Sequence, residues 1–160
     1  MLKITILCVG KLKEKYWRDA CAEYAKRMSR FADFSIIEVE EEKLPDSPSP
    51  AQISHTLLKE GERLLAKVPN GSVIAAMCIE GKQRSSEGLA ELVEIAAVEG
   101  ASGIAFVIGG SWGLSDEVKK VSKFRLSMSE MTFPHQLARV MLCEQIYRAF
   151  QINSGGKYHK

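Results

Sequence analysis

The sequence has almost no net charge: 22 Lys and Arg stand against 20 Asp and Glu, which leaves +2 over 160 residues. So small a total does not by itself imply a polyanionic partner, because nonspecific affinity for nucleic acid grows with the number of phosphates neutralised. Cysteine is sparse as well. Cys8, Cys21, Cys78 and Cys143 lie far apart, with no CxxC pair and no His at ligand spacing, so neither a metal site nor a disulfide framework is signalled and buried thiols are expected. Long apolar runs are missing: the opening MLKITILCVGKLKEK holds an apolar stretch of only about seven residues, too short for a bilayer and without a signal-peptide cleavage pattern. A cytoplasmic protein with no membrane partner is expected. The chain also contains no Walker motif, no GxGxxG fingerprint, no internal repeat and no low-complexity tract, which removes the commonest phosphate-binding loops from consideration.

What the sequence does have is enough apolar material for one core. A hydrophobic content of 46% in 160 residues fits one compact domain, expected to span residues 1–160, and leaves little room for a second. Charge is unevenly spread: Lys11, Lys13, Lys15, Arg18, Lys26, Arg27 and Arg30 crowd the beginning, whereas Glu38, Glu40, Glu41 and Glu42 form an acidic run.

Apolar patterning predicts strands over residues 4–9, 34–39, 72–79, 104–108 and 124–127, short runs of the kind that lie covered on both faces of a sheet. Between them, helices are predicted over residues 14–31, 51–67, 87–98 and 115–121, and a final helix over 136–151, from apolar residues at helical spacing and from capping serines. The proline-rich EEEKLPDSPSP and the polar GKQRSS read as loops, the first because proline interrupts helices and ladders alike. Alternating strands and helices specify an open parallel α/β sheet, whose ligands bind outside the carboxyl ends of the strands. That directs attention to residues 77–81, 109–113 and 128–135.

Three features in these places and beyond could carry chemistry. The turn IGGSWGLSDE follows a strand and opens a helix, so its glycines allow backbone to approach a ligand closely, or they simply form a turn. The loop LSMSEMTFPHQ contains Met128, Met131 and Phe133 where a connector is usually polar; it either packs under the last helix or lines a pocket for a partly apolar ligand. His135 at the head of the last helix is equally a cap or a catalyst. Glu144 and Arg148 stand four apart in the order that favours a surface ion pair, and the terminal GGKYHK is either a frayed end or an aromatic and cationic arm suited to stacking on a base.

Together, the opening strand with VGKLKEKYW, the turn FVIGGSWGL, the block LSMSEMTFPHQLARVMLCEQIYRAF and the terminal YHK resemble the ribosomal RNA large subunit methyltransferase H family of the SPOUT superfamily over the whole chain. The resemblance implies a single-domain parallel-sheet α/β SPOUT fold with a C-terminal trefoil knot, an exception to the usual unthreaded chain, and a homodimer. It implies S-adenosylmethionine as methyl donor with no metal, and as partners the 70S ribosome and its 23S rRNA, in which N3 of a pseudouridine is methylated. The family's cofactor-binding positions fall on Met77, Gly109, Met128, Ser129, Glu130, Met131, Thr132 and Phe133. At position 77 Leu is common in the family, and Met nearly conserves its volume. Catalytic positions fall on His135, Glu144, Arg148 and Tyr158: the first two as proton acceptors or water-orienting groups, the other two holding the nucleotide. Tyr158, His159 and Lys160 align with RNA-binding positions, with Lys160 where some members have Arg; a Lys neutralises phosphate but lacks the bidentate fork. Two rival readings are a non-catalytic ribosome-docking module and a SPOUT methyltransferase acting on tRNA.

Overall fold

In the computed structural model, which describes residues 1–160, the elements follow one another as β1 (Lys3–Val9), α1 (Lys15–Met28), β2 (Asp33–Val39), α2 (Pro50–Leu65), β3 (Ser72–Gln83), α3 (Ser86–Val98), β4 (Gly103–Ile108), α4 (Asp116–Val121), β5 (Phe124–Ser127) and α5 (His135–Asn153). The five strands form one sheet in the order β2-β1-β4-β3-β5, and every pairing is parallel. The expected parallel α/β architecture is therefore present, with all strand carboxyl ends along one edge.

Alternation along each strand divides the core in two. Ile4, Ile6, Cys8, Ile104 and Phe106 face α1, α3 and α5, where Met28, Leu92 and Ile146 meet them. Leu7, Val9, Ala105 and Val107 face the other way, towards Leu64 of α2 and Val118 of α4. All six residues of β4 are buried, as a central strand covered on both faces requires, and each fully buried aliphatic side chain there contributes about 1.5–3 kcal/mol.

Local chemistry sets the helix ends. Ser49 and Gln52 form a reciprocal capping box that opens α2, with Pro50 in the first turn, where its missing N–H costs nothing. Ser85 caps α3 and Ser115 caps α4. Of the four thiols, Cys8, Cys21 and Cys143 are buried and Cys78 half-buried, all free. Burial pushes the Cys8 thiol up to about 12.

One sequence expectation needs correction. The segment GKQRSS does not begin a loop: β3 continues through Gly81, Lys82 and Gln83, and Lys82 and Gln83 pair with β5 after a register shift between Met77 and Lys82. The reason is steric. A Cβ at Gly81 would stand 2.6–2.8 Å from backbone atoms of Arg125 and Leu126, so only glycine lets the strands close together beyond the bulge.

Candidate active site

An irregular stretch of β3 and the connections that follow β4 and β5 lie beside one another and border an open cavity of about 460 Å³, within the range that small-molecule sites occupy. Its first wall is Met77–Glu80, which the sequence reading placed where the third strand gives way to a loop but which lies within β3 where the ladder to β5 is interrupted. Met77 is in register with Ile108 of β4 and Leu126 of β5, so it stands where the other two walls begin.

The second wall is the glycine turn. Gly113 bonds back to Gly110 at 3.1 Å, and Gly113 adopts a φ of 85°, a conformation open to glycine and few others. A Cβ on Gly109 would collide with the carbonyl oxygen of Gly113. The glycine at 109 is thus required by the turn itself, and the turn brings Gly109, Gly110 and Gly113 to the cavity together with Ser111 and Trp112.

The third wall follows β5. Ser127 donates through its hydroxyl to the carbonyl of Ser129 at 3.0 Å, and the Ser129 hydroxyl accepts from the N–H of Met131 at 3.0 Å, so the loop braces itself. This brace presents Met128, Ser129, Met131, Thr132 and Phe133 to the cavity. Glu130 is exposed and takes no part in the wall. His135 also lines the cavity. It is the first residue of α5, and Pro134 holds the cap position without any side-chain cap, so His135 is free of the capping role that the sequence left open.

Glu144, Arg148, Tyr158 and His159 lie elsewhere. The nine residues from His135 to Glu144 on α5 correspond to roughly 13 Å along the helix axis, so these two groups do not meet at one proton within a chain. Instead, Glu144 accepts from Arg148 Nε at 3.0 Å and Nη2 at 2.6 Å, and from the Tyr158 hydroxyl at 3.0 Å. The Arg148 guanidinium also lies over the Tyr158 ring at 4.7 Å, and His159 joins through Arg148 Nη1 at 3.1 Å and Glu87 at 2.8 Å. This is a charged and aromatic cluster, not an isolated surface pair. Burial, and then the bond to Glu144, push the Tyr158 hydroxyl up to about 12.

The tail that the sequence offered as flexible is folded. Gly155 donates to Ile152 at 3.1 Å and Gly156 to Gln151 at 2.8 Å, with Gly155 at a φ of 70°, the arrangement of a Schellman helix end. The glycine pair therefore closes α5 and turns the chain back so that Tyr158 packs edge-on against Tyr147 at 4.9 Å. Lys160 is exposed.

Arg139 was not anticipated. It is buried, pairs with Glu38 at 2.7 Å and donates to the carbonyl of Gly10 at 3.2 Å. Its signal was present in the sequence: Arg139 sits in the same helical stripe as Leu142, Cys143, Ile146 and Ala149, and a cation within an apolar stripe needs a buried partner.

Comparison with known proteins fits this arrangement. Residues 2–159 match the sequence profile described as "Predicted SPOUT methyltransferase". Proteins named ribosomal RNA large subunit methyltransferase H are similar from end to end: that of Ruminiclostridium cellulolyticum is 52% identical, that of Lactiplantibacillus plantarum 51% and that of Lactobacillus delbrueckii subsp. bulgaricus 50%, each over 159 residues, 99% of this chain and 100% of the relative. A crystal structure of a methylase family protein from Neisseria gonorrhoeae shares the fold, with a TM-score of 0.54 at 14% identity over 91% of this chain and 82% of that one. The chain thus belongs to the SPOUT methyltransferases, in the ribosomal RNA large subunit methyltransferase H family.

Proposed function

We propose that this chain, as a single methyltransferase domain over residues 1–160, transfers the methyl group of S-adenosylmethionine to N3 of a pseudouridine in the 23S rRNA of the assembled, cytoplasmic 70S ribosome. In this reading it acts as a homodimer whose C-terminal part is threaded as a trefoil knot. The observation that carries the reading is the cavity bounded by Met77, the turn from Gly109 and the loop from Met128 to Phe133, with His135 at its edge.

These residues fit the cofactor. Met77, Met128, Met131 and Phe133 supply soft, apolar surface for an adenosine and a thioether chain. The glycine turn brings the main chain of Gly109, Gly110 and Gly113 to the cavity, where backbone can approach a ligand closely. When bound, S-adenosylmethionine supplies a methyl group on a sulfonium that is already strongly electrophilic. What remains for the protein is to hold donor and acceptor in line, to exclude water and to take the N3 proton. His135 is the imidazole that lines the cavity and is assigned proton acceptance or the orientation of a water. Tyr158, His159 and Lys160 are assigned to the RNA.

Since the cluster of Glu144, Arg148, Tyr158 and His159 is assembled apart from the cavity of its own chain, it is assigned to the cavity of the other subunit. There the ring of Tyr158 and the Arg148 guanidinium would hold an extruded nucleotide. A non-catalytic docking module would have no use for the cavity. Action on tRNA is disfavoured because so weakly charged a domain, at +2, gains specificity best from an assembled ribosomal surface.

The test is incubation with labelled S-adenosylmethionine and ribosomes that lack the modification, followed by mass mapping of the rRNA. Label is expected at one pseudouridine of 23S rRNA in 70S particles. Equal labelling of naked 23S rRNA or of tRNA would refute the ribosome-dependent reading.

A further inference from the structure

The cavity wall contains two residues of fixed charge, Glu80 and Lys119, and they are paired with each other. Each is placed by local structure. Glu80 lies within the stretch of β3 where the ladder to β5 is interrupted, between Met77 and Lys82, so the chain there is displaced from the regular pleat. Lys119 lies in the last turn of α4, a helix fixed by the Ser115 cap and by the fully buried Val118. Arg125 binds the carbonyl of Lys119 at 3.1 Å and adds a second positive charge behind it. The side chain of Lys119 is only 20% exposed, against 57% for Glu80. The Lys119 ammonium holds the Glu80 carboxyl below the usual carboxylate range.

A surface tie needs no such covering, and apart from His135 the other long side chains lining the cavity, among them Met77, Ile79, Trp112, Met128, Met131 and Phe133, are largely apolar. A cation and an anion held side by side on a semi-apolar wall match one kind of ligand group: an α-amino acid end, which carries a carboxylate and an ammonium on one carbon. Binding would exchange the internal ion pair for two charge-assisted contacts of the same sign pattern, leaving no unpaired charge behind.

We propose that Glu80 and Lys119 recognise the amino-acid end of S-adenosylmethionine, Lys119 taking the α-carboxylate and Glu80 the α-ammonium, and so orient the cofactor within the cavity. This rests on the cofactor reading above and adds two specificity-determining residues to it.

The test is calorimetric titration of the full chain with two ligands: S-adenosylhomocysteine, which has the amino-acid end, and 5′-methylthioadenosine, which lacks it. Lys119→Met and Glu80→Gln are each expected to weaken S-adenosylhomocysteine about tenfold, the scale of one charge-assisted contact, and to leave 5′-methylthioadenosine within about twofold. Lys119→Arg, which keeps the charge, is expected to recover most of the lost affinity. Circular dichroism melting curves confirm that each variant is folded. Unchanged binding of S-adenosylhomocysteine in folded variants would reduce the pair to a structural tie, and equal weakening of both ligands would mean that it only shapes the wall; either result overturns the inference. A wild-type protein that binds neither ligand would instead overturn the cofactor reading itself.

Discussion

Glu38, next to last in β2, and Arg139, one turn into α5, meet at 2.7 Å although 101 residues separate them in the chain. Through the same carboxylate oxygen Glu38 accepts the N–H of Leu12 at 3.3 Å, so this pair fastens the loop after β1 to the helix that begins at the cavity. Arg139→Ala removes the buried cation and strands the Gly10 carbonyl. A loss of about 2 kcal/mol is expected, below the usual cost of breaking a buried pair because Glu38 is 34% exposed and keeps some water. Urea unfolding checks it: the midpoint falls while the slope stays constant. An unchanged midpoint would contradict the role assigned to Arg139.

Gly109→Ala places a methyl group against the Gly113 carbonyl, so the turn must open. Affinity for S-adenosylhomocysteine is expected to fall about a hundredfold, or ~2.7 kcal/mol, with the proposed dimer retained. Calorimetry beside analytical ultracentrifugation measures both, and normal affinity in a folded variant would show that the cavity has been misassigned.

Deleting residues 157–160 removes Tyr158 and His159 from Glu144 and Arg148. Methyl transfer is expected to drop by about two orders of magnitude or more, as when positioning and transition-state contacts are lost together, with little change in cofactor affinity. Mixing is the sharper measurement. Heterodimers of a tailless subunit with a Gly109→Ala subunit should regain one working site, made from the cavity of the first and the tail of the second. Inactive heterodimers that still bind cofactor would mean that the tail serves its own chain.

Tyr158 gives stability a dependence on alkaline pH. Its hydroxyl is raised from 10.0 to about 12, first by burial and then by Glu144, so the folded protein retains a proton that the unfolded chain releases. The contribution is fully present below pH 10 and is lost as pH rises towards 12, because in that window the unfolded state binds fewer protons. Urea midpoints measured across it should fall for the wild type, and Tyr158→Phe should remove that part of the slope.

Much of this was legible in the sequence because it depends on local rules. The buried runs of β1 and β4, the capping serine that opens α3, and the position of Gly109 after a strand are each decided within a few residues of chain. What escaped depends on groups distant in sequence. The extension of β3 past Gly81 is set by the backbone of Leu126, and the burial of Arg139 is meaningful only beside Glu38. The pairing of Glu80 with Lys119 spans two elements that sequence spacing does not connect. The frayed end that the sequence allowed is not found for a related reason: Gly155 and Gly156 donate the two bonds that terminate α5. Composition describes how freely such a pair can move, and the helix before it decides whether it does.

The position of α5 has a consequence for synthesis. This helix packs against α1 and α3, and the same segment begins with His135 at the cavity edge and includes Arg139, which secures the loop after β1. A ribosome making the chain has produced β1, α1 and α3 long before α5 emerges, and with every ladder parallel no adjacent strands can close into a hairpin meanwhile. Leu142, Cys143, Ile146 and Ala149 of α5 belong to the same core cluster as Met28, Leu92 and Val93, so that side of the core is incomplete until residues 135–153 arrive. The core and the cavity edge at His135 are therefore completed in the same step. A chain cut before residue 135 by stalled translation or by a protease lacks α5 and leaves its side of the core open, so quality control meets a sticky, incomplete client.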